Sequence, residues 1–217
     1  TVTNDLSDGF VLNQLNVAGT VTFAGANSMA FTGNGPILPQ INQNSANAVT
    51  FGAPLNLAAM TTLGGTGGGT VTMPAPISGA GGLIKNAAGT LNLNYGTNTY
   101  SGGTTINAGT VAFPAYSANT TALLGTGPVT VNSGATLALN RTALANSVTL
   151  NNATVTAGNS FGSTLSGPVT LSGISTISVS GNLALAGNLS GAGGLTKTLG
   201  STVPVTGINT YSGPTTI

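Results

Sequence analysis

Short alternating runs, cut off from one another by Gly, Asn or Ser-Gly, fill nearly the whole chain. Thr20–Phe23 (TVTF), Thr70–Met73 (TVTM), Thr90–Asn94 (TLNLN), Thr136–Asn140 (TLALN), Ala153–Ala157 (ATVTA) and Thr176–Ser180 (TISVS) are typical. Period-two alternation puts every second side chain on one face, so each run reads as a half-buried strand. No segment carries an apolar stripe of helical period, and Gly is too dense for helix interiors. The chain is therefore expected to be all-β.

Strand starts near Val129, Leu137, Val148, Val155, Val169 and Ile177 recur about every 7 to 14 residues, a spacing that suits a sandwich, a barrel or a parallel β-solenoid. Three features favour the solenoid. Inward positions are small or medium aliphatics, which stack like on like. Asn and Gly recur at the bends, where positive φ is needed. Charged side chains are nearly absent, and stacked coils would bring like charges to within ~4.8 Å of each other. The Asn-Gly type of hairpin signal is scarce, with only Asn34-Gly35 and Asp8-Gly9 qualifying. A solenoid of ~20–27 residues per coil would hold roughly eight to eleven coils.

The charge count excludes whole classes of function. Only Asp5, Asp8, Lys85, Arg141 and Lys197 carry a formal charge, and His, Cys and Trp are missing. Three cations cannot neutralise a phosphate track, so no nucleic-acid partner is expected. Without Cys there are no disulfides or thiol chemistry. No apolar stretch approaches the ~18 residues of a membrane helix, so no membrane insertion by this segment is expected. Disorder is disfavoured, because apolar content is ordinary and net charge is only +1. The chain begins with Thr1, which reads as a mature or excised segment.

A long block occurs twice. Ser78–Ile106 (SGAGGLIKNAAGTLNLNYGTNTYSGGTTI) returns as Ser190–Ile217 (SGAGGLTKTLGSTVPVTGINTYSGPTTI). One continuous solenoid over 1–217 is expected, with a first module over about 1–113 and a second, truncated in mid-motif, over about 114–217. The shared positions are Gly81, Gly82, Leu83, Lys85, Asn98, Tyr100, Gly102, Gly103, Thr104 and Thr105 in the first copy. The second copy carries Gly193, Gly194, Leu195, Lys197, Asn209, Tyr211 and Gly213. Pro214 stands where the first copy has Gly103, and Pro204 interrupts an expected strand, which suits an edge or a bulge.

Gly79–Phe113, GAGGLIKNAAGTLNLNYGTNTYSGGTTINAGTVAF, closely resembles the autotransporter-associated β-strand repeat, also called the passenger-associated transport repeat. Leu123–Leu139 is similar to the segment that commonly follows it. The resemblance implies a right-handed parallel β-helix, exposed on or secreted from a Gram-negative-type cell, and a role as a surface passenger or adhesin. The expected function is structural: rod, fibre or adhesin body, with neighbouring repeats or end-to-end copies as partners.

No catalytic, cofactor or metal site is expected. The Gly clusters Gly64–Thr70 and Gly79–Gly82 do not follow a nucleotide-binding spacing and read as tight bends. Asp5 and Asp8 are the only carboxylates available for acid–base work, and Asp8 in Ser-Asp-Gly reads as a turn former. Tyr100 and Tyr116 are candidate ligand-facing positions for host or matrix glycans; the competing reading of Tyr100 is a ring that fills a repeated structural position. The pairs Thr1/Thr3, Thr20/Thr22, Thr70/Thr72 and Thr154/Thr156 put two hydroxyls on one strand face, a pattern suited to ice. They read as scattered rather than set at one coil period, which ordinary β-propensity explains.

Overall fold

The computed structural model describes residues 1–5, 8–114, 122–158 and 162–217. Among these there is no helix, and the strands stack in parallel as a solenoid. Each full coil visits three faces. One face is an eleven-stranded ladder that begins at Val2–Thr3, passes through Val49–Phe51, Thr90–Leu93 and Thr154–Ala157, and ends at Thr215–Thr216. Eleven rungs at ~4.8 Å make it about 50 Å long. A nine-stranded ladder, from Gln14–Val17 to Leu189–Ser190, forms the second face. The third face is split into a four-stranded sheet ending at Ile77–Ser78 and a three-stranded sheet beginning at Ala143–Leu144.

Inward positions stack in mainly apolar columns. Val49, Val71, Leu91, Val111, Leu137, Val155 and Ile177 stand in register on the eleven-stranded face, all at most 2% exposed. Phe23 lies on Phe51 with ring centroids 4.9 Å apart. Coil length varies from 18 residues, Leu137 to Val155, to 28, Val21 to Val49. The register survives because the surplus is taken up in the bends, where backbone groups need not join a ladder.

The two copies of the repeated block sit on different faces. Leu83–Lys85 belongs to the nine-stranded ladder, whereas Leu195–Thr198 belongs to the eleven-stranded one. Likewise Ile77–Ser78 lies on the third face and its counterpart Leu189–Ser190 on the nine-stranded face. The block is thus displaced by one face around the solenoid. It is a local device that serves at any corner, because its contacts run to the coils stacked on it and not to one particular side.

Pro204 departs from the strand suggested by alternation. Val203 and Pro204 form no strand, and Val205 keeps one isolated parallel bridge to Leu185. The Pro204 carbonyl still accepts the Leu185 N–H at 2.9 Å. A residue without an N–H can serve one neighbouring strand as acceptor but cannot donate to another.

Candidate functional site

The repeated block holds the least ordinary chemistry of the molecule. Leu83 and Lys85 alternate inward on their strand, and Lys85 takes a place in an apolar column between Leu63 and Ile106. It is 1% exposed. No carboxylate faces it. Its Nζ instead donates to the carbonyls of Ala87, Gly89 (2.8 Å) and Ala108 (3.3 Å). Three N–H groups meet three carbonyl oxygens, which satisfies an ammonium without a counter-ion. Burial pushes its pKa down to about 8. Lys197 holds the matching position against Ile177, is half-buried, and donates to the Leu199 carbonyl at 2.6 Å.

Twelve residues or so beyond each Lys lies the corner. Asn98, 1% exposed, ties three coils together. Its Oδ1 accepts the Ile77 N–H at 2.9 Å, and its Nδ2 donates to the Leu123 carbonyl at 2.7 Å. Its own N–H donates to the Ala122 carbonyl at 2.9 Å. This is where the third face lacks a regular strand, so a side-chain amide carries the pairing that a peptide group carries elsewhere. Asn209 repeats half of the arrangement: its Oδ1 accepts the Leu189 N–H at 3.1 Å, while its Nδ2 turns to the Gly207 carbonyl.

Tyr100 is wholly buried, and its hydroxyl shares a 2.7 Å hydrogen bond with the Thr104 hydroxyl. Burial holds its pKa well above the usual value, partly offset by the Thr104 bond. The expectation that Tyr100 faces a ligand is therefore corrected: the ring is a packing element, needed inside because its hydroxyl finds a partner four residues on. Tyr211 keeps the same bond, to Thr215, at 2.6 Å. Tyr116 lies outside the described residues.

The Gly pairs do not cradle an anion. A Cβ on Gly81 would lie 2.1 Å from the Ala59 carbonyl oxygen, and one on Gly102 would lie 2.6 Å from Gly81 C. Coils touch backbone to backbone here, and only Gly permits that approach. Gly103 has φ +83, which Pro214 cannot adopt, so the second copy turns its corner differently. The remaining signature residues are scaffold by position: Leu83 and Leu195 are buried, Thr104 faces Tyr100, and Thr105 points outward from its strand. A Cβ on Gly82 would lie 2.4 Å from Gly103 O, on Gly193 2.3 Å from Gly173 O, on Gly194 2.2 Å from Pro214 O, and on Gly213 2.4 Å from Gly193 C.

The carboxylates stay at one end of the solenoid. Asp8 Oδ1 accepts the Ser28 hydroxyl at 2.6 Å and the Ser28 N–H at 2.8 Å, which holds its pKa below the usual carboxylate value. It forms the turn with Gly9, as Ser-Asp-Gly suggested. Asp5 is exposed. Among the described residues no three of His, Cys, Asp and Glu come together.

One feature escaped sequence reasoning. Asn86, Asn107, Asn132 and Asn151 stack at one bend, with each Nδ2 donating to the Oδ1 before it at 2.7, 2.7 and 3.4 Å. A shorter ladder joins Asn42 to Asn16 at 2.9 Å. The recurring Asn after each strand was the signal, but unequal coil lengths hid the alignment.

The family model of the passenger-associated-transport-repeat matches residues 83–113, the stretch that holds Lys85, Asn98, Tyr100 and Thr104. Searches of the curated proteins and of the solved structures give no match.

Proposed function

We propose that this chain, which carries a passenger-associated transport repeat over residues 83–113, is a rod-forming structural segment of a secreted or cell-surface autotransporter passenger. The observation that carries the reading is the use made of the repeat residues. Asn98 and Lys85 spend polar groups on neighbouring coils, Tyr100 and Thr104 spend their hydroxyls on each other inside the solenoid, and the Gly pairs bring coil backbones together. A motif whose groups are consumed internally serves stacking rather than chemistry. The mechanism is mechanical: continuous parallel ladders, apolar columns and side-chain amide rungs give stiffness without disulfides or metals. Export suits such a chain, since one coil at a time can add to the last and each coil contacts only its neighbours.

In this reading the partners are neighbouring repeats or further copies stacked end to end. Parallel ladders extend by adding another coil, and each coil contacts only its neighbours, which suits that kind of partner. Labelling intact cells of the source organism with an antibody to this segment, before and after protease treatment, tests the location. Surface labelling that protease removes is expected. Labelling only after lysis would refute it.

A further inference from the structure

The threonines that looked scattered along the sequence are aligned in space. On the eleven-stranded face Thr90, Thr110, Thr136, Thr154, Thr176, Thr196 and Thr216 stand opposite one another, rung after rung. The Thr pairs share no one coil period in sequence, because coil lengths differ, yet stacking brings Thr22 and Thr72 into register through Thr50 and sets Thr154 in the seven-residue column. A second outward column lies two residues on and reads Asn92, Ala112, Ala138, Thr156, Ser178 and Thr198, all uncharged. The rungs are ~4.8 Å apart and positions i and i+2 of a strand are separated by ~6.6 Å, so the hydroxyls form a single file over seven rungs that becomes two abreast at Thr154/Thr156, Thr176/Ser178 and Thr196/Thr198.

We propose that this face binds the surface of ice. Three observations support it. First, the hydroxyls are available: among the described residues none of the seven Thr side chains has a hydrogen-bond partner, whereas the inward Thr61, Thr104 and Thr142 all do. Second, each Thr offers one donor and two acceptor sites beside a methyl group, so it joins a water network while the methyl excludes disordered water. Third, no charged side chain stands in either outward column, so nothing there holds a strongly bound hydration shell.

The repetition itself points to a solid ligand. Seven equivalent groups at one spacing give a soluble small molecule no advantage over one. A lattice engages them together, and weak contacts then add up. A crystalline polysaccharide would also be periodic, but rings on the face would be expected for it, and the outward columns carry none.

Partition of the purified 217-residue chain into slowly growing polycrystalline ice, with the shape of single ice crystals in its presence, tests the proposal. Enrichment in the ice and faceted crystals are expected. Thr136→Lys, Thr154→Lys and Thr176→Lys together should reduce enrichment at least tenfold, with the β-sheet circular dichroism spectrum retained. Thr154→Val alone, which keeps the shape and removes one hydroxyl, should reduce it less. Thr130→Lys on the nine-stranded face should leave it unchanged. No enrichment of the folded chain above an unrelated protein of similar size overturns the proposal. So does enrichment that Thr154→Val and the triple variant leave intact, or binding to insoluble polysaccharide in place of ice.

Discussion

Asn98→Ala separates a cross-coil role from a merely local one, because the chain carries its own control in Asn209. Removing the Asn98 amide strips the Ile77 N–H of its acceptor and the Leu123 carbonyl of its donor, both in the interior. Each orphaned buried group costs about 1–3 kcal/mol, and relief of the amide's own desolvation and ordering offsets part of that. A net loss of about 3 kcal/mol is expected. Asn209 is exposed, reaches only one neighbouring coil, and its Nδ2 is bonded within its own turn. Asn209→Ala should therefore cost about 0.5–1 kcal/mol. In urea unfolding, at an m-value of about 2–3 kcal/mol per molar, the first change lowers the midpoint by about 1–1.5 M and the second by less than about 0.5 M. Because solenoids can unfold in parts, amide exchange at Ile77 should be followed too, and should speed up only in Asn98→Ala. Equal losses in the two variants would refute the reasoning, since the cost would then follow the local sequence and not the covering coil.

Four further outcomes follow from the same contacts. Lys85 binds its proton less tightly when folded, with a pKa of about 8 against the usual 10.5, so the unfolded state holds more protons between those values. Stability should rise with pH across that window in thermal melts, and Lys85→Met should abolish the rise. Above about pH 10 the buried Tyr100, whose pKa is raised, keeps a proton that the unfolded chain releases, so stability should fall again. Gly64 interrupts the outward Asn column between Asn42 and Asn86; a Cβ there would meet only side-chain atoms, Asn42 Oδ1 at 3.4 Å and Thr62 Cγ2 at 3.7 Å. Gly64→Asn should join the two amide ladders and raise stability by about 0.5–1 kcal/mol, read as a higher urea midpoint. Gly81→Ala should lower stability by about 3 kcal/mol, because its Cβ would press on the Ala59 backbone.

Much of the architecture was legible in the residues. Alternation with Gly and Asn breaks marked the strands, as in Thr90–Leu93 and Thr154–Ala157. The near absence of charge pointed to stacked coils over a sandwich. The repeated block marked the corner that the family model also matches. Tyr100 was legible only as one of two readings. A Tyr beside Gly and Thr looks the same in sequence whether it lines a ligand site or packs inside, and the hydroxyl pair with Thr104 decides between them.

The residues alone specify local features: where strands run, which side chain of each pair turns inward, and where the backbone must bend or come close. These follow from period-two geometry and from what Gly, Asn and Pro allow at φ. Which residues meet across coils was decided only by the tertiary structure. Coils of 18 to 28 residues put equivalent positions at irregular sequence intervals, and the register is restored by bends that absorb the difference. Hence the Asn ladders, the seven aligned threonines, the burial of Lys85 under the Ala108 carbonyl and the one-face displacement of the second block appear only when the coils are stacked.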